Sequence, residues 1–135
     1  MKKRIEKIIK STASNPGTET RYREPLVGFA SADDPIFDEM KETIGQHHMH
    51  PKEVFPEAKT VVSFFLPFEE KLVDLNWKSP GPVREWILAK SETESLIKNI
   101  NEKLNEIEVG RLGLRELGRI KYFLPLKYSI NYSFI

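Results

Sequence analysis

Apolar and polar residues follow two different periods along this chain, and the changes of period mark its elements. Ile5, Ile8 and Ile9 share one side of a helical wheel while Lys2, Lys3, Arg4, Glu6 and Lys7 fill the rest. That spacing predicts an amphipathic helix over residues 2 to 12, stopped by Asn15-Pro16-Gly17. The polar stretch TETRYRE reads as a surface connection, and Pro25 to Ala30 as a short apolar strand. Asp34-Pro35 is a helix start, because a carboxylate accepts orphan amide protons and proline's fixed φ suits the first helical position. The helix is expected to run to Ile44 with Ile36, Phe37, Met40 and Ile44 buried, and Gly45 supplies a left-handed ending.

The densest signal lies in HPKEVFPEAKTVVSFFLPF, from His50 to Phe68. A short helical turn and an extended Phe55-Pro56 step lead into Thr60 to Leu66, where all residues but Ser63 are β-branched, aromatic or apolar. This is the pattern of a central strand covered on both faces, and it predicts an α/β sheet. Pro67 ends the regular run, and FEEKLVDLNWKSPGP reads as an ordered excursion that serves as a lid or rim. From Val83 to Ile107, Trp86, Ile87, Leu96, Ile97, Ile100, Leu104 and Ile107 recur at three- and four-residue steps, predicting one long helix. Gly110, Gly113 and Gly118 then argue against helix. Leu126, Tyr128, Ile130, Tyr132 and Phe134 alternate with polar residues, a half-buried strand whose uncovered edge predicts a homodimer through the C-terminal strand.

With 135 residues the chain holds one core, so residues 1 to 135 are expected to form a single α/β domain, a small three-layer or two-layer sheet with flanking helices. Twenty-one basic against 20 acidic residues give a net charge of +1, which removes the electrostatic case for a dedicated nucleic-acid or membrane-surface binder. Cysteine is absent, which excludes disulfides, thiolate nucleophiles and cysteine-held zinc or iron–sulfur clusters built from this polypeptide. The N-terminal apolar residues are too few for a signal-peptide core, and no segment has membrane-spanning length, so a cytoplasmic location is the simplest expectation.

Candidate chemistry is sparse. His47, His48 and His50 crowd four residues and are candidate metal ligands, with Glu53 as an added donor; the commoner role of such rings is solvated, or a single capping hydrogen bond. Glu69, Glu70 and Asp74 offer paired carboxylates, but interspersed Lys71 and Lys78 favour a solvated charged surface. Arg84, Glu85 and Trp86 either line a ligand pocket or open the long helix with Trp86 in the core. Asp33-Asp34 is better explained by capping than by a metal. Neither GxGxxG nor a phosphate loop is present, and Ser63 lacks the glycine elbow of a hydrolase nucleophile, so no catalytic residue is assigned.

Taken together, PLVGFASADDPIF, HPKEVFPEAKTVVSFFLPF and REWILAKSETESLIKNINEKL resemble, in order and spacing, the N-terminal region of the epoxyqueuosine reductase family, over roughly Arg21 to Leu104. The resemblance implies a corrinoid-binding α/β lobe, which full-length members follow with a module carrying two [4Fe-4S] clusters that feeds cobalamin chemistry. Ser63, Phe65, Arg84 and Trp86 are the candidate cofactor-binding residues, and the resemblance implies cobalamin or flavin as the cofactor. Residues 1 to 107 form the family-like lobe, and residues 108 to 135 diverge from it, as in a truncated or frameshifted descendant or in a small paralogue kept for binding. The expectation is a lobe that is not catalytic alone and binds a corrinoid or a partner protein. Its rivals are a dimeric cobalamin- or flavin-binding subunit fed by a separate redox partner, and a structural or interaction module.

Overall fold

A computed structural model of the chain describes residues 1 to 107, 115 to 120 and 130 to 134. The elements follow in the order α1 (Lys2–Ser14), β1 (Leu26–Ser31), α2 (Ile36–Ile44), α3 (Pro51–Val54), β2 (Thr60–Phe65), α4 (Glu70–Lys78), α5 (Arg84–Ile107), β3 (Arg115–Ile120) and β4 (Ile130–Phe134). The four strands form one antiparallel sheet in the order β1-β2-β4-β3, with helices flanking it. The chain is therefore mixed α/β, and β2 is interior; the cover on both faces that its unbroken apolar run predicts is seen among the described residues on the Val62 and Phe64 face and at the Val61 end of the other, where Ser63 and Phe65 are half-buried.

Alternation along β2 divides the core. Val62 and Phe64 face α1 and α5, where Ile5, Ile9, Ala13, Leu96, Ile97, Ile100 and Leu104 close a dry layer with Leu66. Val27 and Phe29, opposite Phe64 and Val62, pack against the same layer from β1. Burying each large side chain such as Ile9 or Leu96 is worth about 1.5–3 kcal/mol. Val61 points the other way, into a smaller cluster with Ala32 and Ala58 that Phe37 of α2 and Phe55 help to cover. A third cluster joins Phe68, Leu72 of α4 and Ala89 of α5, packed by Tyr22, Val73 and Trp86.

Several expectations need correction. None of the residues of α2 is buried: Phe37 and Met40 are half-exposed, while Ile36 and Ile44 are 49% and 39% exposed. The helix lies over one end of the sheet and meets it mainly through Phe37. Its end at Gly45 holds, while its start lies one residue later than predicted, with Pro35 in the cap position and Ile36 as the first helical residue. Asp34 Oδ1 accepts the Ile36 amide at 3.0 Å, and Gly45 takes φ 136°, where a Cβ would also sit 2.9 Å from the His47 ring. The excursion after Pro67 contains α4, an element that its flanking prolines and the outward Trp77 disguise. In α5 the buried stripe is Ala89, Thr93, Leu96, Ile97, Ile100 and Leu104, whereas Ile87 is 63% exposed and Trp86 is half-buried. The glycine-rich segment contributes β3, and β4 pairs with β2 on one side and β3 on the other. The C-terminal strand is thus not an edge, and the strand-addition route to a dimer through it falls. Residues 126 to 129 of that predicted strand lie outside the described residues.

The buried stripe sets the first expected outcome. Ile100→Ala should cost about 2–5 kcal/mol in urea unfolding, while Ile87→Ala should stay within about 0.5 kcal/mol of the parent. Equal losses would contradict this packing.

Candidate functional site

The polar segment before β1 is held rather than loose. Glu92, halfway along α5, accepts the Glu19 amide at 3.0 Å, the Thr20 amide at 2.8 Å and the Thr20 hydroxyl. At the next residue of α5, Tyr22 Oη donates to Thr93 Oγ1 at 2.8 Å, and Thr93 donates in turn to the Ala89 carbonyl at 2.6 Å. A short antiparallel pairing of Tyr22 with Phe68 completes the strap, with the Arg23 amide on the Pro67 carbonyl and the Glu69 amide on the Arg21 carbonyl. Desolvation pushes the Glu92 carboxyl upward, but hydrogen bonds from Thr20 and Glu19, with the Arg84 charge nearby, hold it below its ordinary value. Burial raises the Tyr22 phenol, opposed by its bond to Thr93. The sequence carried a signal for this strap that a polarity reading passes over: Thr20 and Tyr22 alternate with charged residues, and Thr20 is only 6% exposed.

Below the strap lies a cleft of about 270 Å³ between residues 19 to 21, α4 and α5. Leu72, Leu75 and Leu88 contribute its apolar wall, and Arg21, Lys71, Glu69 and Glu85 its charged rim. Of the predicted carboxylate group only Glu69 lines this cleft; Glu70 is exposed, 3.8 Å from Arg23 Nη1. The expected solvated surface fits these positions.

The histidine segment forms a cap. His50 precedes α3, its Nδ1 accepts the Lys52 amide at 3.2 Å, and Glu53 Oε2 accepts the His50 amide at 2.6 Å. Glu53 also meets Lys41 Nζ at 2.5 Å, and that bond, followed by the His50 amide, lowers its carboxyl below the usual range. The Phe37 ring meets His50 edge-on, 6.0 Å between centroids. Among the described residues His48 has both ring nitrogens buried without a hydrogen-bond partner, while His47 lies against Gly45. Among the described residues no three His, Cys, Asp or Glu side chains are grouped to hold a metal, and Glu53, the added donor of the sequence reading, serves Lys41 and the cap instead.

The four candidate cofactor residues separate into two places. Ser63 and Phe65 share the face of β2 that carries Val61, opposite Gly28 and Leu26 of β1. Arg84 and Trp86 belong to α5, on the other side of the sheet: Trp86 packs edge-on against Phe68 at 5.4 Å, and Arg84 Nη1 lies 3.9 Å from Glu19. The second face is the more open one. Among the described residues α2 and α3 cover its Val61 end, while Gly28 and Leu26, the latter 66% exposed, lie at the other. No helix of the described residues is long and apolar enough to cross a membrane. Comparison with protein-family models, curated proteins and solved structures finds no match to this chain.

The strap gives a pH-dependent expectation. The bonds to ionised Glu92 contribute their full stability above the ordinary glutamate value of 4.5, and the contribution is lost as pH falls through the lower folded value. Glu92→Ala, leaving the Thr20 amide unpaired, should cost about 1–2 kcal/mol at neutral pH and speed exchange of the Glu19 and Thr20 amides. Its unfolding curve should approach that of the parent at acid pH; a constant difference at every pH would count against the assignment.

Proposed function

We propose that this chain is a binding lobe of the kind that opens epoxyqueuosine reductases, non-catalytic by itself, whose second sheet face receives a corrinoid. The observation that carries the reading is the division of the sheet: one face is sealed by α1 and α5, while the other, with Gly28, Ser63 and Leu26, is covered only at its Val61 end by described elements. A broad apolar macrocycle edged with amides suits such a face, because glycine allows close approach to the backbone and Ser63 supplies a donor and an acceptor. The blocks that carry the family resemblance correspond to β1 with the start of α2, α3 with β2, and α5.

Ser63 and Phe65 would then be the cofactor contacts, and Arg84 and Trp86, on the far side, would support the lobe. With no cysteine in the sequence, reduction of a bound corrinoid requires electrons from a separate partner. Equilibrium dialysis against hydroxocobalamin, read by the visible band of the ligand, tests the reading. Saturable binding with a Kd below about 100 μM is expected, weakened at least about tenfold in Ser63→Arg, whose side chain would fill the face. Absence of binding at millimolar ligand overturns it. Saturable binding of flavin mononucleotide in place of the corrinoid would favour the flavin-binding subunit.

A further inference from the structure

Among the described strands the sheet has two outer edges, and they are built differently. β3 has Arg115, Glu116 and Arg119 in its sequence, and its register with β4 shifts between Leu117 and Ile120. Charge and irregularity are the usual means by which an edge is kept from pairing. β1, LVGFAS, has neither: it contains no charged residue and no proline, and its register with β2 is continuous from Leu26 to Ser31. The Ala32 amide donates to the Lys59 carbonyl at 3.0 Å, extending that ladder by one pair. By antiparallel alternation the backbone groups of Leu26, Gly28 and Ala30 then face β2, and those of Val27 and Phe29 point outward.

We infer that the β1 edge is a self-association surface, its occupant the β1 of a second copy of this chain, paired antiparallel about a two-fold axis at Gly28. That axis sets Val27 opposite the partner's Phe29 as hydrogen-bonded pairs, and Leu26, 66% exposed in the single chain, opposite the partner's Ala30. Charge favours the antiparallel arrangement. Arg21, Arg23 and Glu24 precede the strand, Glu24 being paired with Lys10, and Asp33 and Asp34 follow it; the two-fold sets Arg23 opposite the partner's Asp33, whereas parallel pairing would oppose like with like. The inference does not rest on the corrinoid reading, and it replaces the C-terminal strand, interior here, with the strand at the opposite side of the sheet.

The axis supplies its own test. Gly28 is exposed, and among the described residues a Cβ there meets only the Ser63 carbonyl, at 4.0 Å, so a longer side chain is compatible with the fold. Across the two-fold, Gly28→Lys and Gly28→Glu each place like charges in a non-hydrogen-bonded pair, the closest cross-strand position. Sedimentation equilibrium of the full chain should show a concentration-dependent dimer. Each variant, with an unchanged circular dichroism spectrum, should dissociate about tenfold more readily, and an equimolar mixture of the two should recover the parental dimer. A parent that stays monomeric up to about 1 mM, variants that dimerise like the parent, or a mixture without recovery would each overturn the inference. Because the readout is mass rather than ligand binding, failure here is separable from failure of the corrinoid reading.

Discussion

Strand β2 is the constraint from which the rest of the structure follows. Its backbone is paired on both sides, with β1 and with β4, so its hydrogen-bonding groups are met within the sheet and only its side chains decide what lies above and below. Strict alternation then forces Val62 and Phe64 to one face and Val61, Ser63 and Phe65 to the other. A slip of one residue would exchange the two sets and put Ser63 beneath α1 and α5, a polar hydroxyl in a dry layer. The register of one strand therefore determines which side chains meet α1 and α5 and which lie on the face that described elements cover only at its Val61 end.

The strap from Glu19 to Arg23 shows how the sealed side is finished. A charged segment outside any long element normally has little reason to take one conformation. Here three acceptor–donor pairs to Glu92, the Tyr22–Thr93–Ala89 chain and the backbone pairing with Pro67 to Glu69 give it one. The same bonds join the entry to β1, the exit from β2 and the middle of α5. Tyr22 adds apolar contact with Phe68, which in turn meets Trp86, so polar and aromatic interactions act on one junction.

What the sequence discloses follows the physics of each signal. Periodic apolar stripes reveal α1 and α5, and an unbroken β-branched run reveals β2, because burial along a whole face leaves its mark on every turn or second residue. Capping chemistry is equally local, which is why Asp34 and Gly45 bound α2 where their residue types suggest, and why His50 caps α3. Burial of α2 is not local: its apolar residues have the right spacing, but whether a sheet lies beneath them depends on tertiary placement, and only Phe37 reaches the second cluster. The same holds for α4, whose single buried residue, Leu72, leaves almost no stripe to read. At the site, the separation of Ser63 and Phe65 from Arg84 and Trp86 is a matter of which face each element covers, and chain spacing carries no record of it.

The slight burial of α2 also has an energetic consequence. α2 buries none of its residues, so it draws little of the packing energy that sustains helices in proteins, and its ends depend on the Asp34 carboxylate and the Gly45 turn. Elements held in this way occupy the low end of local stability. The layer of α1, α5 and β2, by contrast, is held by buried apolar residues on every turn or second position.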